Sequence, residues 1–182
     1  MRYRFGLLVA LAIAAAPCLA SSRGMPTGGA PATGLGRMIA ASTWMFPVAN
    51  IAHVVGMLLI VGPVLVFDFR LLGVTRAGNV AELSKLLLRW PILGGCIAVP
   101  AGLVMFTAEA GELITNPAFR WKILLLCVAA GNTMVYGIFA APAARGCPAG
   151  ALPPMQARLH ALVSIVVWLA IVSCGRLIAY SG

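Results

Sequence analysis

Four long apolar runs separated by short polar stretches set the pattern of this chain; they cover residues 44–69, 90–108, 118–141 and 159–179. Each reaches or approaches the roughly 20 residues with which a helix rising 1.5 Å per residue crosses a ~30 Å hydrocarbon core. In lipid a helix satisfies its backbone hydrogen bonds internally, whereas short unclosed strands would leave amides and carbonyls unpaired. The pattern therefore predicts an all-α, polytopic membrane protein with a four-transmembrane-helix bundle. Trp44, Trp90, Trp121 and Tyr180 fall at run ends, where an amphipathic ring suits the headgroup layer. Small residues four apart, Ala52 with Gly56 and Ala98 with Gly102, allow close helix approach. Pro91 and Pro100 mark the second helix as the one expected to kink.

The stretches around the runs carry the topology. Residues 1–20 read as a signal peptide: Arg2 and Arg4 lead an apolar stretch from Phe5 to Ala16, and small residues precede a cut after Ala20. Residues 21–42, opening SSRGMPTGGAPATGLGR, have little to bury and are expected to be a flexible external linker. That leaves 43–182 as the transmembrane domain. Arg70, Arg76, Lys85 and Arg89 make 70–89 the densest basic loop and assign it to the cytoplasm. Within it Asn79 and Glu82 form a helix start. Leu83, Leu86, Leu87 and Trp90 then share a face, predicting a short helix on the membrane surface. The loop at 109–117 holds Glu109 and Glu112 and falls outside, and the Gly/Pro-rich turn at 142–154 returns inside. The expected location is a bacterial inner membrane, with the mature N-terminus and the C-terminus outside.

Composition closes off several classes. With 62% hydrophobic and 9% charged residues, the chain is far from the quarter or so of charged residues typical of a soluble domain. Thirteen Lys and Arg against four acids give +9, but the basic residues stand at run ends, where headgroups anchor them. No basic stripe with interleaved aromatics exists, so nucleic acid is not an expected partner. The bilayer is, together with a membrane-protein partner or a second copy. Of the five cysteines none forms a CxxC pair, and Cys96, Cys127 and Cys174 lie inside apolar runs as packing residues. No nucleophile motif, phosphate loop or catalytic carboxylate pair is present, so no enzyme activity is expected.

An ionisable residue within a span is expensive and is a functional candidate by default. His53 lies roughly 14 Å below the outer surface at 1.5 Å per residue, with Asn50 and Met57 on the same helical face. Imidazole and thioether suit haem iron or copper, so haem b or copper is the cofactor this face could hold, with His53 as the metal ligand. The alternative is a neutral His53 hydrogen-bonded to Asn50 or Asn132, joining helices. His160 starts the fourth helix at the inner face, on the order of 10 Å from His53 in depth, which disfavours the two as axial partners; Met105 is better placed to partner His53. Asp68 opposes the dipole at the first helix's C-terminus. It is expected to pair with Arg70, Arg89 or Arg158 in an ion-pair lock, with a proton-relay acid as the alternative. Arg176 is expected to pair with Glu109 or Glu112.

Several strings occur together: Trp44 with Pro47, His53, Gly56 and Gly62 leading into Asp68-Phe69-Arg70-Leu71-Leu72-Gly73; Asn116-Pro117-Ala118-Phe119 with Lys122; and Ser164, Trp168 and Gly175-Arg176-Leu177-Ile178-Ala179-Tyr180. In these the chain resembles an uncharacterised family of bacterial four-helix integral membrane proteins, a domain of unknown function, from about Trp44 to Tyr180. The resemblance implies a four-helix membrane domain and brings no activity. A looser likeness in architecture and in one histidine links the chain to copper-resistance D-type and cytochrome b561-type bundles, which bind metal or haem through intramembrane histidines. Two functions are thus expected: a structural or accessory membrane subunit, or a redox or metal-handling module using His53 with Met57 or Met105.

Overall fold

The computed structural model describes residues 34–180 apart from residue 77; the expected signal peptide and the first part of the linker lie outside these residues. The elements are α1 (Gly34–Ala41), α2 (Met45–Leu72), α3 (Val80–Leu87), α4 (Trp90–Thr115), α5 (Pro117–Val135), a π-helical turn (Tyr136–Ala140) running into α6 (Ala141–Arg145), and α7 (Met155–Tyr180). No strand occurs among the described residues. Four helical stretches are long and apolar enough to cross a membrane: Met45–Leu72, Val80–Thr115, Pro117–Arg145 and Met155–Ile178. Their outward surface is that of a multi-pass membrane protein. Ile51, Leu58, Phe139 and Leu177 are each more than half exposed, an apolar face of a size that water penalises and lipid accepts.

The inward surface is built from small residues. Gly56, Gly94, Ala98, Ala129, Ala157 and Ala161 are all buried, as expected where helices associate by close approach rather than by hiding apolar area from water. The four spans run up and down in antiparallel order. One end, the hairpin end, holds the single-residue turn at Asn116 between α4 and α5; the other, the loop end, holds the connections at 73–79 and 146–154. The largest seam is α2 on α4, α5 and α7 form the second pair, and α2 against α7 joins the pairs. Although consecutive, α4 and α5 share little surface; the Phe106 and Phe119 rings stack near their turn, 5.7 Å apart.

Local chemistry sets the helix ends. Gly73 ends α2 in the left-handed region, φ 82°, and its amide reaches the Arg70 carbonyl. A Cβ there would also strike the Leu152 side chain, so only glycine suits the position. The Asn79 and Asn116 side chains cap α3 and α5, accepting from Ala81 N and Ala118 N at 2.9 Å each. The surface helix expected after Asn79 is α3; it buries Val80 and Ser84 and leaves Glu82, Lys85 and Leu86 exposed.

Three expectations about the helices are corrected. The end of the expected linker is the helix α1, which packs on α4 because Ile39 gives it something to bury, at 2% exposed. The second span runs to Thr115 instead of 108, and its non-helical residue is Glu109 (φ −123°, ψ 23°). Helical geometry continues through Pro100, and Pro91 lies in the first turn, where a missing N–H costs nothing. The third span runs to Arg145 instead of 141 and contains the π-helical turn, whose extra residue changes the direction of the side chains beyond it.

Candidate functional site

Two polar centres lie inside the bundle, one nearer each end. Nearer the hairpin end is His53 on α2. It is about 12 Å from the start of its helix at 1.5 Å per residue. Its Nδ1 stands 2.8 Å from the carbonyl oxygen of Ala98 on α4. A carbonyl can only accept, so Nδ1 carries the proton and, in the neutral ring, the lone pair falls on Nε2. Nε2 has no hydrogen-bond partner among the described residues.

The helix crossing next to His53 puts the ring there. A Cβ on Gly56 would stand 2.6 Å from the Ala98 amide nitrogen and 2.8 Å from the Gly94 carbonyl oxygen. One on Gly94 would stand 2.5 Å from the Gly56 carbonyl oxygen. Backbone therefore lies on backbone. One turn further, a Cβ on Gly102 would come within 3.1 Å of the His53 ring at Cε1 and Nδ1: the imidazole rests on the bare face of a glycine. Lys122 of α5 is the charged group close enough to act on this ring. Its Nζ lies against α7, 3.8 Å from where a Gly175 Cβ would be, with Cys174 beside it. Lys122 has no hydrogen bond or ion pair among the described residues.

The two thioethers expected to join His53 are divided. Met57 packs at the seam with α5 and α7, against the cluster of Ala129, Val167 and Ile171. Met105, half-buried, follows Gly102 on α4 by three residues and so shares the face that carries the imidazole. Asn50 is exposed and takes no part.

Nearer the loop end, His160 of α7 and Asn132 of α5 bond to each other twice. His160 Nδ1 donates to Asn132 Oδ1 at 2.7 Å, and Asn132 Nδ2 donates to the His160 carbonyl at 3.0 Å. Asn132, expected as a partner for His53, is thus committed to the other histidine. Tyr136, the first residue of the π-helical turn, wedges between His160 and Phe67. Its ring centroid is 6.1 Å from each, edge to face. Histidine and aromatics together close the α2–α5–α7 junction.

The acid and the arginine at the end of α2 do not form the expected lock. Asp68 is 5% exposed; the Ser164 hydroxyl of α7 reaches its carboxyl group, and Oδ2 is buried without a hydrogen-bond partner. Among the described residues it makes no ion pair with Arg70, Arg89 or Arg158. Arg70, fully buried, instead donates from Nε and Nη2 to the Gly78 carbonyl at 3.3 Å and from both Nη atoms to the Ala151 carbonyl at 3.5 Å. It ties together the two loops of that end. The reason is geometric: residues two apart on a helix point to nearly opposite sides, so Arg70 turns to the loops while Asp68 turns to α7. Arg176 is exposed and likewise makes no ion pair with Glu109 or Glu112 among the described residues.

Sequence reading passed over the Ala98 carbonyl, the Gly102 face and the lack of a polar partner for Lys122 among the described residues. Lys122 carried a visible signal, a cation inside an apolar run; the other two depend on which helix faces which. No group of three or more His, Cys, Asp or Glu is gathered for a metal ion among the described residues. Residues 38–181 match the model of a family described as Family of unknown function (DUF6644). Neither the curated proteins nor the solved structures provide a match.

Proposed function

The chain belongs to this family of unknown function, which brings no chemistry with it, and we propose from the geometry that it is a small membrane module holding haem b through His53. The carrying observation is the imidazole itself. Its Nδ1–H is fixed by a backbone carbonyl of the neighbouring helix at 2.8 Å, which leaves Nε2 as the uncommitted lone pair. Metal-ligating histidines are oriented by such a second bond. The lack of a gathered set of three or more His, Cys, Asp or Glu among the described residues argues for haem over bare copper. Copper draws on several protein donors, whereas haem brings four nitrogens of its own and needs one or two more from the protein. Met105 is the candidate for a further ligand. Met57, one turn from His53 on the same helix face, cannot lie across the metal from it. Bound haem would make the protein a one-electron carrier within the membrane.

For orientation, Arg70, Arg76, Lys85, Arg89, Arg145 and Arg158 cluster in or beside the segments of the loop end. This supports a cytoplasmic loop end and a bacterial inner membrane, and puts His53 in the outer half.

A second reading is a structural or accessory subunit, bound to a membrane-protein partner or a second copy. It is favoured by the exchange between His160 and Asn132 and by the Arg70 clasp, which hold helices and loops together without a ligand. Iron and copper content of the detergent-purified protein separates the readings. One iron per chain, lost in His53→Gln and retained in Asn132→Ala, supports haem; stoichiometric copper replaces haem with copper. A folded wild type free of both metals leaves the accessory role.

A further inference from the structure

We propose that Lys122 is the seat for an acidic group of the ligand held by His53, so that the site takes a carboxylate-bearing ligand and not a neutral one. The inference rests on the haem reading of His53 and adds to it a statement about charge. An ammonium inside an apolar bundle is costly unless an opposite charge or hydrogen-bond acceptors compensate it. Lys122 has neither among the described residues. The four acids of the chain lie elsewhere: Asp68 faces Ser164 toward the loop end, Glu82 is exposed on α3, and Glu109 and Glu112 are exposed on α4.

The lysine is also directed inward. Its Nζ packs on α7, 3.8 Å from where a Gly175 Cβ would be, an ordinary contact distance. Lys122 is five residues into α5 and His53 eight residues into α2, both counted from the hairpin end. At 1.5 Å per residue the Lys122 backbone stands about 4–5 Å nearer that end than the His53 backbone. A flat ligand bound by its centre to His53, with acidic groups on one edge, would present that edge toward Lys122. Haem has this form, with two propionates on one side of the ring.

The test compares haemin with its dimethyl ester, which is the same metallomacrocycle without the acidic groups. Each is titrated into detergent-purified full-length apoprotein and followed by its Soret band. Wild type is expected to bind the free acid about tenfold or more tightly than the diester, the size of one charge-assisted hydrogen bond. Lys122→Met is expected to bind both forms as wild type binds the diester, which also reports that the site is intact. Lys122→Arg is expected to restore much of the preference. Equal binding of acid and diester by wild type, or an undiminished preference in Lys122→Met, would overturn the role of Lys122 while leaving His53 as ligand. No Soret change with either form would overturn both.

Discussion

The two intramembrane histidines share one contact pattern and differ in everything around it. Each commits Nδ1 to an oxygen on a neighbouring helix, His53 to a backbone carbonyl and His160 to a side-chain amide. His160 receives a bond in return and is wedged against Tyr136 in a packed aromatic junction. Among the described residues His53 receives none; it lies on a glycine face beside a cation that has no counter-charge among them. In the first arrangement the Asn132 amide serves both the Nδ1 and the carbonyl of His160 and an aromatic ring packs on the imidazole, although its Nε2, like that of His53, has no hydrogen-bond partner among the described residues. The second holds an imidazole against a glycine with its Nε2 lone pair uncommitted and a positive charge close by. An ionisable residue inside a membrane thus points to a site only through its neighbours, and here the neighbours separate a mutual fastening from the proposed binding centre.

Four substitutions break or sharpen that contrast. The largest effect is expected from Gly56→Leu. Even its Cβ would stand 2.6 Å from the Ala98 amide, so α2 and α4 must part at a cost of about 3 kcal/mol or more. Unfolding by SDS titration measures it, and wild-type stability in this variant would refute the backbone-on-backbone seam. Arg70→Leu follows, with about 2–3 kcal/mol lost as hydrogen bonds from a charged group to two loops disappear. Faster proteolysis at 73–79 and 146–154, with haem content unchanged, is the expected signature.

Asn132→Ala leaves the His160 imidazole without its amide partner, and about 1 kcal/mol is expected from a hydrogen bond within a membrane bundle. Because that exchange is a fastening, ligand content should stay at the wild-type level; its loss would mean that the two centres are not separate. The smallest effect on stability belongs to Gly102→Ala, below about 1 kcal/mol. Its added methyl lies 3.1 Å from the His53 ring, and so the ligand's absorption maximum should shift although the fold is kept. An unchanged spectrum would show that the ring does not set the ligand's electronic environment.

The architecture was legible because it rests on length and composition. Four runs of lipid-compatible residues permit only helices, and Asn79 and the Gly73 terminus mark ends with their own chemistry. The first and fourth spans extend past their most apolar residues by about a turn. The prolines pointed to a kink in the second helix, and one is there, but at Glu109 and not at Pro91 or Pro100. The site was legible in part. His53 stood out as a titratable residue in an apolar run, but its partner is a backbone carbonyl, and every residue has one. The same limit hid the task of Arg70, whose acceptors are the Gly78 and Ala151 carbonyls. Asn132 was recognisable as glue but not assignable to a histidine, because the order of helices around the bundle decides which one it faces. Little shared surface between α4 and α5, despite their one-residue link, is a property of that order and leaves no mark on the sequence.

The most direct test of the central claim is the reduced-minus-oxidised absorption spectrum of detergent-purified wild type, His53→Ala and His160→Ala, recorded with the fold of each verified by circular dichroism. The account predicts a Soret band in wild type, retained in His160→Ala and absent from a still-helical His53→Ala. A folded, colourless and metal-free wild type, or a band that survives in His53→Ala, would contradict it.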